Sequence, residues 1–211
     1  MLKVLKDYYA AVIVETRSLP NLKSIIERHL KMMDKSRWKL YIFHHLNVAS
    51  FEDLNAIKIN INKDINRDSY SRMLAEHSFW NQIPHEKILI FQHDSMLLRR
   101  GIEGFLEWDW IGGPSGGGGG HYNGGLSIRS KAKTLEVIRK YRHNGEAEDI
   151  YFHRGMKNIG ARVAPYEVAS KFCCERYFKL GTVGYHGLHH FHSPQNIELI
   201  KNQYTRKISL L

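Results

Sequence analysis

Apolar residues in this chain fall into short runs that alternate between two periods. Ala10-Ala-Val-Ile-Val14 is continuous, β-branched and closed by Glu15-Thr-Arg17, as in a buried strand that delivers polar groups to the edge of a sheet. Behind Pro20, the residues Leu22, Ile25, Ile26, His29 and Leu30 repeat at helical spacing, which predicts a helix over Leu22 to Met33 with Asn21 as its N-cap. Trp38 to His44 returns to strand character. A strand, a helix and a strand in that order favour a parallel α/β sheet, because parallel neighbours need a covering crossover.

Further along, Ile57, Ile59 and Ile61 alternate with polar residues over Ala56 to Asn62, the pattern of a half-exposed strand, and Tyr70 to Trp80 has the length of one helix. Lys87-Ile-Leu-Ile-Phe91 is the clearest strand, and it stops abruptly at Gln92-His-Asp94-Ser95. Open α/β sheets place their ligands at the carboxyl ends of such strands. Lys131 to Tyr141 predicts a helix, Ala147 to Phe152 begins another, Val183 to His186 reads as a short strand or loop, and Pro194 to Tyr204 as a terminal helix.

Nine of the 17 glycines lie between Gly112 and Gly125, so conformational freedom is concentrated in one segment. Such a segment is either a mobile flap over a site or a slack linker between two domains. The strand-like pieces Trp110-Ile111 and Gly125-Leu-Ser-Ile128 on either side favour the flap.

With 211 residues, 43% hydrophobic and 25% charged, the chain has the composition of one globular domain, which excludes a disordered chain, a collagen and a coiled-coil rod. No apolar run approaches the ~20 residues that cross a bilayer, and Met1 to Tyr9 lacks the apolar core of a secretory signal. The expectation is a soluble, unexported, cytoplasmic protein. Cys173 and Cys174 are adjacent, a spacing poor for a disulfide or a zinc cluster, so both are expected as buried reduced thiols. A formal charge of +10 suits any polyanion, from nucleic acid to a nucleotide diphosphate.

Candidate chemistry collects at a few positions. Asp94, at the end of the strongest strand, suits a divalent ion whose shell is completed by phosphates and water. Gln92 shares its strand face, since side chains alternate. A second ligand must come from far along the chain: His186, set between Gly184 and Gly187, is one candidate, and His189, His190 and His192 are others. A carboxylate with an imidazole suits manganese better than calcium. Asp149, with Glu148 beside it, is a candidate base for an acceptor hydroxyl, although acids also cap helix N-termini. Asn123, Gly124 and Gly125 offer an amide and open backbone to a polyol, or form a plain turn.

Phe91-Gln-His-Asp-Ser95, Asp109-Trp-Ile-Gly-Gly-Pro114, Asn123-Gly-Gly-Leu-Ser-Ile-Arg129, Glu148-Asp149 and Gly184-Tyr-His186, in that order, resemble the GT-A-type glycosyltransferase domains, over about Val12 to His190 and including Tyr70-Ser-Arg72 and Phe79-Trp80. The set is similar in particular to the capsid-modifying glycosyltransferases of large algal viruses, which would put the work in the host cytoplasm. The resemblance implies a single GT-A-like domain, possible as a fragment of a longer chain, with a twisted, mainly parallel central sheet flanked by helices. It implies a UDP-sugar as nucleotide diphosphate donor, a glycan or glycoprotein acceptor, and a Mn2+ ion, with Mg2+ as substitute. Asp94 matches the last acid of the family's Asp-X-Asp metal motif and His186 its late metal-binding histidine. Thr16 and Arg17 match the loop that faces the nucleoside, and Arg72 is a candidate for the diphosphate. Asn123, Gly124 and Gly125 would hold the transferred sugar and Asp149 would take the acceptor proton, with inversion at the anomeric carbon. Gln92 departs from the pattern, which has an acid there.

Two other classes compete. A nucleic-acid-binding module would explain the charge and pairs such as Arg37-Trp38 and Arg176-Tyr-Phe178-Lys179, but not Asp94 or Glu148-Asp149. A nucleotidyltransferase on a similar fold would also need a metal and a nucleotide, and would release pyrophosphate from a triphosphate and a sugar phosphate.

Overall fold

The first strand, β1 (Tyr9–Val14), leads into α1 (Leu22–Met32) and back to β2 (Trp38–His44), which pairs with β1 in parallel from Tyr9↔Trp38 to Val14↔Phe43. The structure is a computed structural model that describes residues 8–45, 51–116 and 120–208. β3 (Ala56–Asn60) joins the outer edge of β2, also in parallel, and its side chains are half-buried or exposed as its alternation predicts. Asn21 stands at the N-cap position of α1, yet its side chain makes no capping bond.

The segment read as one helix from Tyr70 to Trp80 is two: α2 (Arg67–Leu74) and α3 (His77–Asn81). The break has a packing cause. Trp80 is fully buried and its indole N–H needs an acceptor, which it finds in the Leu74 carbonyl at 2.7 Å. In a continuous helix that carbonyl would serve the backbone N–H four residues on. At its other end α2 starts on a capping box between Asn66 and Ser69.

β4 (Lys87–Phe91) occupies the middle of the sheet beside β1, buried from Ile88 to Phe91. β5 (Ser95–Leu97) leaves the main sheet at once. β6 (Trp110–Pro114) and β7 (Tyr122–Ser130) form a hairpin, with β7 antiparallel to β4. The sheet order is therefore β3-β2-β1-β4-β7-β6, parallel through its first four strands. The glycine-rich stretch connects the two strands of one hairpin, which excludes a linker between domains; residues 117–119, at the centre of the expected flap, lie outside the described residues.

α4 (Lys131–Lys140), α5 (Glu148–Asn158) and α6 (Tyr166–Phe172) follow, then β8 (Cys173–Cys174), β9 (Gly184–His186) and α7 (Pro194–Ile208). β9 pairs antiparallel to β5 and parallel to β8, so a second, three-stranded sheet sits beyond the carboxyl end of β4. Both cysteines are buried free thiols. Among the described residues no helix is long and apolar enough to cross a membrane.

The α/β architecture expected from the sequence is thus the one observed: a single domain with a mainly parallel central sheet between helices.

Candidate functional site at the carboxyl edge of the sheet

The site begins where β4 ends. Gln92 stays attached to the sheet, its N–H donating to the Gly125 carbonyl at 2.8 Å, and Asp94 follows in the turn into β5. β5 carries the chain under β9, whose last residue is His186, and the Ser95↔His186 pairing sets that histidine beside Asp94. His186 Nε2 lies 3.3 Å from Asp94 Oδ1 and 3.1 Å from Gln92 Oε1. Residues 92 and 94 therefore meet residue 186, far from them in the sequence.

The neighbouring strand makes room for them. The β6–β7 register jumps between Gly112, paired with Ser127, and Gly113, paired with Asn123, so Gly124 to Leu126 stand opposite no residue of β6. A Cβ on Gly125 would lie 2.1 Å from His186 Nε2, and one on Gly124 would lie 1.9 Å from Glu148 Oε1. The Asn-Gly-Gly segment is therefore strand, not the plain turn its composition also allowed, and both glycines admit side chains from elsewhere. Asn123 Oδ1 accepts from the Gly125 N–H at 2.7 Å.

Glu148 and Asp149 open α5 but part company. Glu148 is buried and pairs twice with Arg129, Nη1 to Oε2 at 2.7 Å and Nη2 to Oε1 at 3.0 Å, while its own N–H donates to the Ser71 hydroxyl at 3.2 Å. Arg129 is fully buried against the Trp110 ring, 4.5 Å from its centroid. Burial raises the Glu148 carboxyl and Arg129 works against that rise. Asp149 stays half-buried and faces a cleft of about 480 Å³ together with Gln92, Asp94, Asn123, Gly125 and His186.

A second cleft, of about 440 Å³, adjoins the first through Arg67, Tyr70 and Gln92 and runs along the end of β1, lined by Glu15, Thr16 and Arg17. Arg17 is held by Glu15, with Nε to Oε1 at 2.8 Å and Nη2 to Oε2 at 2.6 Å, and Thr16 Oγ1 accepts from the Ile65 N–H at 3.0 Å. Arg72 is exposed and lines neither cleft; Arg67, on the face of α2 that carries Ser71, lines both. A third cleft lies on the far side of Asp94, where Asn21 and Arg28 of the α1 region face Tyr185 and Lys201.

Charge is out of balance at the first of these clefts. Glu175, which no motif singled out, is buried there with Oε2 3.7 Å from His186 Nδ1. Two carboxylates thus flank one imidazole. Burial works against the charged ring, but contacts with Asp94 and Glu175 outweigh it and push His186 up to about 9. Burial likewise works to raise Asp94, and the His186 ring more than offsets it, holding the carboxyl below its usual range. Asp94 Oδ1, Glu175 Oε2 and His186 Nδ1 are all buried without a hydrogen-bond partner among the described residues. An unpartnered carboxylate oxygen, an amide oxygen and an imidazole nitrogen facing one another are a fitting donor set for a divalent cation. The His189 and His190 rings also approach Asp94, with one ligand atom each of Asp94, His189 and His190 within 4.8 Å of one another.

The nucleic-acid reading loses part of its basis here. Trp38 is buried, with its indole N–H on Glu103 at 2.8 Å, so its ring is not open to a base.

Comparison with known proteins adds three findings. The model of a family described as protein of unknown function (DUF5672) matches residues 53–186, which takes in Gln92, Asp94, Asp149, Glu175 and His186. Among solved structures, the chain is similar to a mannosyltransferase, PcManGT, from Pyrobaculum calidifontis, in complex with GDP-Man and Mn2+, with 9% identity and a TM-score of 0.56 over 76% of this chain and 55% of that one. It also matches the apo form of the glycosyltransferase GlyE from Streptococcus pneumoniae TIGR4, at 13% identity and a TM-score of 0.49, over 76% and 46% of the two chains. The chain spans about half the length of these structures. The first likeness is one of fold, and the second is too loose to add to it. No curated protein matches the sequence.

Proposed function

We propose, taking as premise that the chain belongs to the DUF5672 family, that it is a metal-dependent glycosyltransferase moving a sugar from a nucleotide diphosphate sugar to a hydroxyl of a glycan or glycoprotein. One observation carries the reading: Gln92 and Asp94 each bring an oxygen within 3.3 Å of His186 Nε2 at the carboxyl edge of the parallel strands, in a cleft shared with Asp149. The fold shared with a mannosyltransferase supports it. The narrower likeness to capsid-modifying enzymes of algal viruses rests on the quoted motifs alone.

Roles follow from placement. The cleft of Thr16 and Arg17 at the end of β1 suits the nucleoside, and Arg67, where the two clefts meet, suits the diphosphate better than Arg72, which lines neither cleft. Asp94 and His186 would hold the cation, with Gln92 contributing directly or through water. When bound, a Mn2+ or Mg2+ ion there neutralises charge on the departing diphosphate. Asn123 and the Gly125 backbone border the space for the transferred sugar. Asp149 takes the proton of the acceptor hydroxyl, whose attack from the opposite face inverts the anomeric carbon. Glu148 is committed to Arg129 and holds α5 against β7 instead of acting as a base.

Calorimetry with manganese and a panel of uridine and guanosine diphosphate sugars tests the reading. Wild type should bind one of them only with metal, and Asp94→Ala should lose that binding. Asp149→Asn should bind normally and transfer about 10²–10⁴-fold more slowly. Undiminished affinity in the Asp94 variant would overturn the assignment.

A further inference from the structure

We propose that Glu175 is the positioning residue of this cation site: it fixes the His186 ring from behind and supplies the second negative charge that Gln92 does not. The inference rests on the function proposed above.

The ring geometry leads to it. Nε2 faces Asp94 Oδ1 at 3.3 Å and Gln92 Oε1 at 3.1 Å, so a cation held among these atoms takes the Nε2 lone pair. A neutral imidazole that gives up one lone pair carries its proton on the other nitrogen. That nitrogen, Nδ1, lies 3.7 Å from Glu175 Oε2, and neither atom has a hydrogen-bond partner among the described residues. Closing that gap by less than the width of an atom makes an Nδ1–H to carboxylate bond, the usual support of a metal-bound histidine.

The backbone is shaped around this line of groups. Glu175 directly follows β8, and β8 runs parallel to β9 with Cys174 opposite Tyr185, so Glu175 and His186 are the next residues in register. On β6, a Cβ at Gly113 would lie 2.6 Å from Glu175 Oε2 and 2.9 Å from its Cβ. Gly125 on β7 clears the His186 ring in the same way. Two adjacent strands thus carry glycine where the imidazole and the carboxylate pass. Glu175 is only 2% exposed, and its backbone carbonyl accepts from His192 Nε2. A buried acid that costs desolvation free energy and has, among the described residues, no cationic side chain paired to it other than this ring is accounted for by a positive charge at the ring's far side.

The test is Mn2+ titration of the whole chain without nucleotide, read by calorimetry and by the free Mn2+ spin-resonance signal, for wild type and Glu175→Gln. The variant keeps the shape and removes the charge, and should bind Mn2+ about 10–100-fold more weakly. Equal affinity overturns the role of Glu175 and leaves the glycosyltransferase reading standing, whereas failure of wild type to bind Mn2+ both alone and with a nucleoside diphosphate added overturns both. A second readout needs no variant. Ring 15N shifts of wild type loaded with diamagnetic Mg2+ should show His186 protonated on Nδ1 and not on Nε2, and the opposite tautomer overturns the proposal.

Discussion

Two buried charge clusters lie side by side against consecutive glycines of one strand, and they are built on opposite terms. At Gly124, one guanidinium meets one carboxylate: Arg129 and Glu148 pair at 2.7 and 3.0 Å, and Arg129 Nε donates to Ser127 Oγ at 3.1 Å. At Gly125, two carboxylates, Asp94 and Glu175, share a single imidazole at 3.3 and 3.7 Å. Burial of charge is common to both, so burial does not mark the functional one. The mark is the sum: the first cluster is closed at zero, and the second has negative charge to spare for a cation.

The largest effect that could break this contrast is on stability. Glu148→Ala leaves Arg129 buried and unpaired, which should cost about 3–5 kcal/mol. Asp94→Ala leaves His186 with Glu175 as its remaining acid and should cost clearly less than that in the metal-free protein. Denaturant melts of the two variants without metal measure the difference. Equal losses would mean that both clusters are structural.

How much of each cluster the sequence shows differs for the same reason. Asp94 was legible because it ends a continuous β-branched strand, and His186 because glycines flank it. Glu175 and Arg129 were not, since Glu175 takes its meaning from a glycine on another strand that leaves it space, and Arg129 from a carboxylate on α5, relations with no local period. The main strands were legible at Ala10, Trp38 and Lys87 because each is a sustained apolar run. β5, β8 and β9 have only two or three residues each, too few for any periodicity to register. The split between α2 and α3 comes from one indole seeking an acceptor. Arg72 sits one residue past Ser71, where a step of about 100° around the helix turns it away from the clefts, while Arg67, four residues before Ser71, lines them.

His29 extends the comparison to a buried ionisable group that carries no charge. Its Nδ1 donates to the Ile25 carbonyl at 2.9 Å, and its ring stacks on Phe91 at 4.3 Å, close behind the end of β4. Burial lowers it from 6.5 to about 4, with the Ile25 bond acting the other way. The folded ring therefore refuses a proton that the unfolded chain accepts. Its stabilising contribution is complete above pH 6.5 and is lost as the pH falls toward 4, by up to ~3 kcal/mol. Melts between pH 7 and 4.5 should show this acid loss in wild type and a smaller one in His29→Phe. An identical slope in both would assign the acid sensitivity to other groups.

The sharpest separation of the two clusters comes from the smallest change, one methyl on each glycine. Gly124→Ala drives a Cβ to 1.9 Å from Glu148 Oε1, and Gly125→Ala drives one to 2.1 Å from His186 Nε2. Overpacking of either kind should cost about 1–3 kcal/mol, so melting alone barely distinguishes them. Mn2+ affinity should. Displacing Glu148 strains an ion pair that touches no proposed ligand, and Gly124→Ala should bind the ion much as wild type does. Displacing Nε2 moves the proposed ligand atom itself, and Gly125→Ala should bind at least tenfold more weakly at the same stability cost. If both variants lose metal together, the clusters are one mechanical unit, and charge balance at Gly125 no longer suffices to explain the site.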